Sequence, residues 1–514
     1  LLLAQGRILE AQQVLELLKV QEIRDFTKNT RAGGEVAGIP LSPVEKAIID
    51  KYGSLIAFGY QVDQCRQKTC ADLGQMDTRL KALTQAYNRT VDTFQAEIRK
   101  RSSDDKGFYD PELLGEAQRI VENAQKKTGL NTVLIYPLVL DKKLWLLWVA
   151  PGGVVKSQPV NVEQTQLAKA VLEFRQLMKS CEISPCGAAD TVKLQAVSQK
   201  LHGWLIQPIE GELKKNTVKN LIFSLDRVVR YIPMSALYDG KQYLMENYTV
   251  STILSAALTS DRDRAPFTAQ NTQVLALGVS DAIANFNPLP NVPQELAAIV
   301  GNSKANVRGI YPGLEFLNRA FDESTLRQKL GAGKHRIVHI ATHGKFVPGN
   351  HLASFLLLGD SNKLTVDEIR ALPLMSGVDL VVLSACESAL GGSESSKPDA
   401  TKLDGIEISS MSFHFLTRQA GAVLASLWLV NDASTSLLMQ QFYKNLVTGK
   451  MTKAEALRQA QLNLLNGKVT AKDALRRSGE TDINVTVLGD RAPSNANFSH
   501  PYYWAPFILI GNSL

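Results

Sequence analysis

Long apolar runs are missing from this chain of 514 residues. The longest, such as residues 132–140, fall far short of the roughly 18–20 residues that a membrane-crossing helix needs, so no membrane association is expected. Dense Lys/Arg blocks are missing too. The net charge of +7 reads as ordinary solvated surface, and no nucleic-acid partner is expected. Three catalytic signatures are absent as well. No G-x-S-x-G elbow supports a serine hydrolase, and no H-E-x-x-H supports a zinc peptidase. Gly331-Ala-Gly-Lys334-His335 is not a phosphate loop, because it lacks the first Walker glycine, carries His where Ser or Thr should hold magnesium, and precedes its strand. No cofactor is expected. Aromatic residues are few, at 7%, but 45% hydrophobic and 21% charged residues are the composition of a globular chain, which excludes global disorder.

Cysteine is also sparse. The five occur as two C-x4-C pairs, Cys65/Cys70 and Cys181/Cys186, and a solitary Cys386. The pairs read either as disulfides or as buried reduced thiols, and a zinc site is disfavoured because no His lies near them in sequence. A five-residue offset puts side chains on different helix faces, so bridges would require loops or broken helices. The compartment stays open between a bacterial cytoplasm and, if the pairs are bridged, an extracytoplasmic space. The chain opens Leu1-Leu-Leu-Ala-Gln-Gly-Arg with neither Met nor a signal segment, which suggests a fragment or processed product.

At about 100–200 residues per domain, the length suggests two to four domains. Residues 1–130 read as helical. In the first helix Ile8, Ala11, Val14, Leu15 and Leu18 recur at spacings of three and four, making one apolar stripe. Further helices are expected over 43–65, 77–100 and 111–127. From Asn131 the period changes to that of strands. A hairpin over 132–150, a helix over 162–179 and a strand over 220–225 make one α/β unit, spanning 131–265. A polar linker over 261–273 leads to a second unit, 266–514. Its strands are expected at 272–278, 336–341, 355–358, 380–384, 422–426 and 507–510, with helices between them. Strands alternating with helices predict an α/β fold with mostly parallel sheets covered on both faces.

Two of these strands end in reactive side chains: Arg336-Ile-Val-His-Ile-Ala-Thr-His343-Gly344 and Asp379-Leu-Val-Val-Leu-Ser-Ala-Cys386. Ligands bind outside the carboxyl ends of parallel strands, so both residues can reach one cleft. A thiol needs a neighbouring imidazole to become a thiolate near neutral pH, and His343 with Cys386 therefore form a candidate catalytic dyad. His339 shares the strand but falls inside it. Gly344, without a side chain, lets its amide approach a substrate oxygen, so the amides of Gly344 and Cys386 are the candidate oxyanion donors.

His339-Ile-Ala-Thr-His343-Gly344, Ser384-Ala-Cys386-Glu-Ser, Ala425-Ser-Leu-Trp428-Leu-Val-Asn-Asp432 and His500-Pro-Tyr-Tyr-Trp-Ala-Pro-Phe-Ile-Leu-Ile-Gly511 together resemble the CHAT family. These caspase-like domains often follow tetratricopeptide repeats and are akin to separase within the caspase clan of cysteine peptidases. The resemblance covers residue 131 onward, and the opening helix resembles the end of one such repeat. It implies a cysteine endopeptidase with His343 as general base and Cys386 as nucleophile, acting on a protein or peptide substrate. It also implies an inactive caspase-like half over 131–265, an active half over 266–514, and a regulatory protein partner acting through the helical region. Ser384-Ala-Cys386-Glu387 departs from the caspase signature Q-A-C-x-G, so a preference for aspartate is not carried over.

In separase, which cleaves after arginine, a similar tryptophan-to-aspartate segment lines the primary pocket. By that resemblance Asp432 is the leading substrate-binding acid and Glu387 a weaker one, with cleavage expected after Arg or Lys. Asp432 equally reads as the N-cap of a helix starting near Ala433. Residues 391–402, rich in Gly, Ser and Pro, read as a loop beside the site. Peptidase and catalytically silent interaction scaffold both remain open, because fold alone does not decide function.

Overall fold

The computed structural model describes residues 2, 3, 6, 8–28, 54, 58, 61, 62, 65, 70, 72–102, 111–150, 155–183, 186–260, 262, 264–283, 286–302, 307–345, 354–386, 406–428, 430–469, 486, 487, 490, 491 and 498–514. Leu1–Thr30 and Glu112–Leu514 make up one compact unit, and Arg31–Pro111 a second. Within the second unit, Leu73–Ser102 is a helix, Cys65 and Cys70 are disulfide-bonded, and Arg79 lies over the ring of Phe58. The expected helix over 43–65 falls largely outside the described residues.

The larger unit is built on one sheet of 13 strands. In chain order these are β1 (Thr132–Val139), β2 (Leu144–Val149), β3 (Val155–Val160), β4 (Asn220–Phe223), β5 (Thr249–Thr252), β6 (Val274–Gly278), β7 (Gly313–Leu317), β8 (Ile337–Lys345), β9 (Phe355–Leu357), β10 (Lys363–Thr365), β11 (Leu380–Cys386), β12 (Ala422–Ser426) and β13 (Phe507–Gly511). The spatial order is β10-β9-β8-β11-β12-β13-β5-β4-β1-β2-β3, with β6 beside β8 and β7 beside β6. The core pairings β7–β6–β8–β11–β12 and β13–β5–β4–β1 are parallel. The α/β fold with mostly parallel strands is the one expected. Both faces are covered: Leu275, Val338, Ile340, Val381 and Leu383 fill one core, while Val274, Ala276, Ile337, Leu380 and Val382 fill the other. That is why these strands read as unbroken apolar runs.

The two α/β regions share this sheet. β13 pairs antiparallel with β12 along its length and parallel with β5 at Ile510 and Thr252, whose hydroxyl donates to the Leu509 carbonyl at 2.8 Å. Between them, the described part of the expected linker, 262 and 264–273, is neither helix nor strand.

The opening helix, Ile8–Lys28, docks through only part of the apolar stripe expected: Ala11 and Leu15 enter a core and Ile8 packs against it. Val14 and Leu18 are exposed, whereas Gln12, Gln13, Glu16 and Lys19 are buried. The tertiary partners explain the buried polar residues. Lys19 Nζ donates to Ser224 Oγ (2.7 Å) and to the carbonyls of Ser224 (2.5 Å) and Leu225 (3.0 Å), and lies over the Tyr136 ring. Glu16 accepts from the Ala256 amide at 2.9 Å. These acceptors and donors lie just past the ends of β4 and β5, where unpaired backbone groups must be satisfied.

Cys181 and Cys186 are disulfide-bonded. Cys181 lies in the last turn of Gln164–Ile183 and Cys186 beyond it, so the bridge spans a helix end as its spacing requires. The fold also brings a histidine that sequence proximity did not suggest: His500 Nδ1 is 3.7 Å from Cys181 Sγ. With the sulfurs joined to each other they are not available as thiolate ligands. Among the described residues, no helix is long and apolar enough to cross a membrane.

Candidate active site

β8 and β11 are adjacent and parallel, in register from Ile337 with Leu380 to His343 with Cys386. Strands in a sheet lie about 4.8 Å apart, so the pairing makes the two chemically reactive residues immediate neighbours at the carboxyl end of the sheet. Both strands are buried along the residues that lead up to this pair, from Ile337 to Thr342 and from Leu380 to Ser384. Gly344, one residue on, faces Leu356 across the antiparallel pairing of β8 with β9.

His343 is buried, and its Nε2 lies 2.7 Å from the carbonyl oxygen of Asn287. A carbonyl only accepts, so Nε2 carries the proton and Nδ1 is left as the basic nitrogen. The Phe286 ring packs on the imidazole with centroids 5.0 Å apart. Burial lowers the His343 pKa below its ordinary 6.5, against the opposing pull of the Asn287 hydrogen bond. The imidazole is therefore neutral near pH 7 and able to take a proton.

Asn287 belongs to Phe286-Asn-Pro-Leu-Pro-Asn291, which follows β6 and leads into the helix Val292–Val300. Gly278 ends β6 where that helix crosses it. A Cβ there would lie 2.7 Å from Val292 Cγ1 and 2.8 Å from Leu296 Cδ1. The missing side chain sets how closely the helix, and the loop entering it, approach His343.

Asp432 is joined to the same loop. Its Oδ2 accepts from the Asn291 amide (2.9 Å) and from Asn291 Nδ2 (2.6 Å). It is the first residue of the helix Asp432–Leu446, whose N-cap is Asn431, with the side chain accepting from the Ser434 amide at 3.0 Å. Burial pushes the Asp432 carboxyl up to about 6, opposed by the two Asn291 hydrogen bonds. Glu387 and the expected loop over 391–402 lie outside the described residues.

His339, four residues before His343, is wholly buried. Its Nδ1 is 3.0 Å from the Tyr443 hydroxyl and its Nε2 2.8 Å from Glu295 Oε1 on the Val292–Val300 helix. It thus ties the strand of His343 to the helix entered from the Asn287 loop. Asn287, Phe286, Asn291, Glu295 and Tyr443 were not picked out from the sequence. One signal was available: the proline-bracketed segment lies past the carboxyl end of β6, where site loops are found in open α/β sheets. Two of the motif pieces also meet, with Trp428 Nε1 donating to the Tyr502 carbonyl at 3.2 Å.

The model of the CHAT domain family matches residues 195–512. The chain belongs to the CHAT-domain family. The CHAT-domain match begins in the helix Ala188–Leu205, later than the start near Asn131 read from the motifs. No curated protein sequence matches the chain. Among solved structures it is similar to the Saccharomyces cerevisiae separase-securin complex, at 9% identity over 77% of this chain and 31% of that chain, with a TM-score of 0.44. It is also similar to the Arg-specific cysteine proteinase gingipain R, at 10% identity over 68% of this chain and 74% of that chain (TM-score 0.32). The complex of Porphyromonas gingivalis RgpB pro- and mature domains gives 10% identity, 68% and 75% coverage and a TM-score of 0.33. The chain spans about a third of the length of the separase-complex chain it matches.

Proposed function

We propose that this CHAT-domain chain is a cysteine endopeptidase in which His343 and Cys386 act as a dyad. The observation that carries the reading is their register pairing toward the carboxyl ends of β8 and β11, where the imidazole Nε2 is held by the Asn287 carbonyl. Nδ1 of His343 takes the thiol proton as the sulfur of Cys386 attacks the peptide carbonyl. The amides of Gly344 and Cys386 receive the oxyanion. Collapse forms a thioester and expels the amine, which leaves with the proton from His343. Water, deprotonated by the same imidazole, then hydrolyses the thioester and regenerates the thiol.

The proposed preference is for Arg or Lys immediately before the cut, with the Asp432 carboxylate as its counter-charge and Glu387 as a second acid. Supporting Asp432 is its raised pKa of about 6: a carboxyl kept in a partly desolvated place at a cost to its ionisation is characteristic of sites that recognise charge. Residues 131–265 are read as a catalytically silent half and 266–514 as the active one. In the former, Cys181 and His202 belong to helices, not strand ends, and Lys19 fills the space past β4. The helical region 1–130, read as ending a tetratricopeptide-like repeat, is the proposed contact for a regulatory protein.

The test is labelling and turnover. A peptidyl electrophile ending in arginine should modify Cys386 alone, and His343→Ala should abolish the labelling. Cys386→Ala and His343→Ala should each remove cleavage while leaving the protein folded, because the two groups act as one unit. Substantial turnover by either folded variant overturns the dyad. A wild type that neither labels nor cleaves any member of a peptide library favours the interaction scaffold.

A further inference from the structure

The opposite edge of the sheet holds a cavity of about 120 Å³ with a different chemistry. Arg336 immediately precedes β8 and Asp379 immediately precedes β11, so this cavity lies at the amino ends of the two strands whose carboxyl ends carry the dyad. Its lining includes Lys127, Arg262, Arg264, Arg336, Lys450 and Lys453, and Asp379 is the sole acidic side chain among them.

That carboxylate is already committed. Asp379 Oδ1 is 2.9 Å from Arg264 Nε, and Oδ2 is 2.7 Å from Arg336 Nε. Arg336 is further fixed by the Ala265 carbonyl at 2.8 Å and the Asn271 side chain at 3.0 Å. Two guanidinium groups are thus held in place before any ligand arrives. Lys453 is 4% exposed. Its ammonium meets the Leu514 carbonyl and lies 5.4 Å from the centre of the Phe267 ring. Both contacts favour a cation. Burial lowers the Lys453 pKa to about 7, against the pull of Asp379. Arg262 and Lys450 are exposed at the rim, the former donating to the Ser376 carbonyl at 2.9 Å.

We propose that this cavity is a binding site for a small polyanion carrying two or more phosphoryl groups. Buried cations gain most from an anion that enters with them, because charge-assisted hydrogen bonds strengthen as water is excluded. Arginine matches phosphoryl oxygens two at a time, and lysine adds a point charge. Lys127, Arg262, Lys450 and Lys453 supply four positive charges beyond the Asp379 cluster. A single phosphate monoester carries only about two negative charges, so a longer anion is the better match. The site is separate from the dyad and stands whether or not the chain is a peptidase.

Calorimetric titration of the full chain with inorganic tripolyphosphate at low ionic strength tests this. One saturable site is expected, with a raised melting temperature, as for any ligand bound only by the native state. Arg262→Gln combined with Lys450→Gln should weaken binding on the order of tenfold or more, the effect of losing at least one charge-assisted hydrogen bond. Lys142→Gln with Lys143→Gln, exposed in the β1–β2 turn, should leave it unchanged. Absence of saturable binding overturns the proposal, as does equal weakening by both pairs of substitutions. Orthophosphate binding as tightly as tripolyphosphate overturns the polyanion class. An oligonucleotide that binds more tightly and is lost equally in both variants would assign the charge to a nucleic-acid surface instead.

Discussion

Replacing Asp432 by Asn separates a recognition carboxylate from a structural one. Its pKa of about 6, against an ordinary 3.8, means that the folded chain binds this proton more tightly than the unfolded chain does. The native state therefore loses stability as pH rises from about 4 to about 6, and the full cost persists above that range. At about 1.4 kcal/mol per pH unit the difference is about 3 kcal/mol, and the partial exposure of Asp432 reduces it to roughly 1–2 kcal/mol. The Asn variant removes the ionisation, while its amide oxygen still accepts from the Asn291 backbone. It should be more stable than wild type by roughly 1–2 kcal/mol at pH 8 and nearly equal to it at pH 4, read by urea unfolding at both pH values. Catalysis should move the other way. Losing the charged partner of an arginine should lower kcat/KM for basic substrates by roughly 10- to 100-fold, while alkylation of Cys386 by a small electrophile stays unchanged. In the wild type, kcat/KM for those substrates should rise with pH through about 6 as the carboxylate forms. A variant less stable at pH 8 with unaltered selectivity would refute this reasoning and leave Asp432 as a clamp on Asn291.

Other perturbations probe the framework. Gly278→Ala should destabilise by roughly 1–3 kcal/mol, since its Cβ meets Val292 and Leu296, and should slow Cys386 alkylation by displacing the Asn287 loop; wild-type stability and reactivity would show that the helix moves freely. Glu295→Ala removes the buried carboxyl that lies 2.8 Å from His339 Nε2 and should cost roughly 1–3 kcal/mol, with a double-mutant cycle against His339→Ala measuring the coupling; additive losses would deny it. Self-processing, if present, should cut after Lys402 in preference to Lys397, whose following Pro398 hinders hydrolysis; N-terminal sequencing of fragments that are identical in Cys386→Ala would assign the cut to another protease. Mass mapping should find Cys65–Cys70 and Cys181–Cys186 as bridges, and four free thiols in protein from its native compartment would exclude them.

The sequence by itself determined the elements and the reactive pair. Strands buried on both faces must be continuously apolar, so β6, β8, β11, β12 and β13 could be read directly, and their ends marked where His343 and Cys386 emerge. Shorter or more polar strands such as β3, β5, β7 and β10 escaped because their pairing lies with distant partners, not in local pattern. Only the tertiary structure joined both α/β regions through β13, since the parallel pairing of Ile510 with Thr252 brings together segments distant in the chain. It also widened the face on which Ile8–Lys28 docks beyond the apolar stripe: burial of Lys19 and Glu16 depends on backbone groups of Ser224, Leu225 and Ala256, more than 200 residues away. The imidazole's tautomer was likewise beyond local reading. It is set by the carbonyl of Asn287, and a carbonyl is present at every residue until the fold aims one of them at His343.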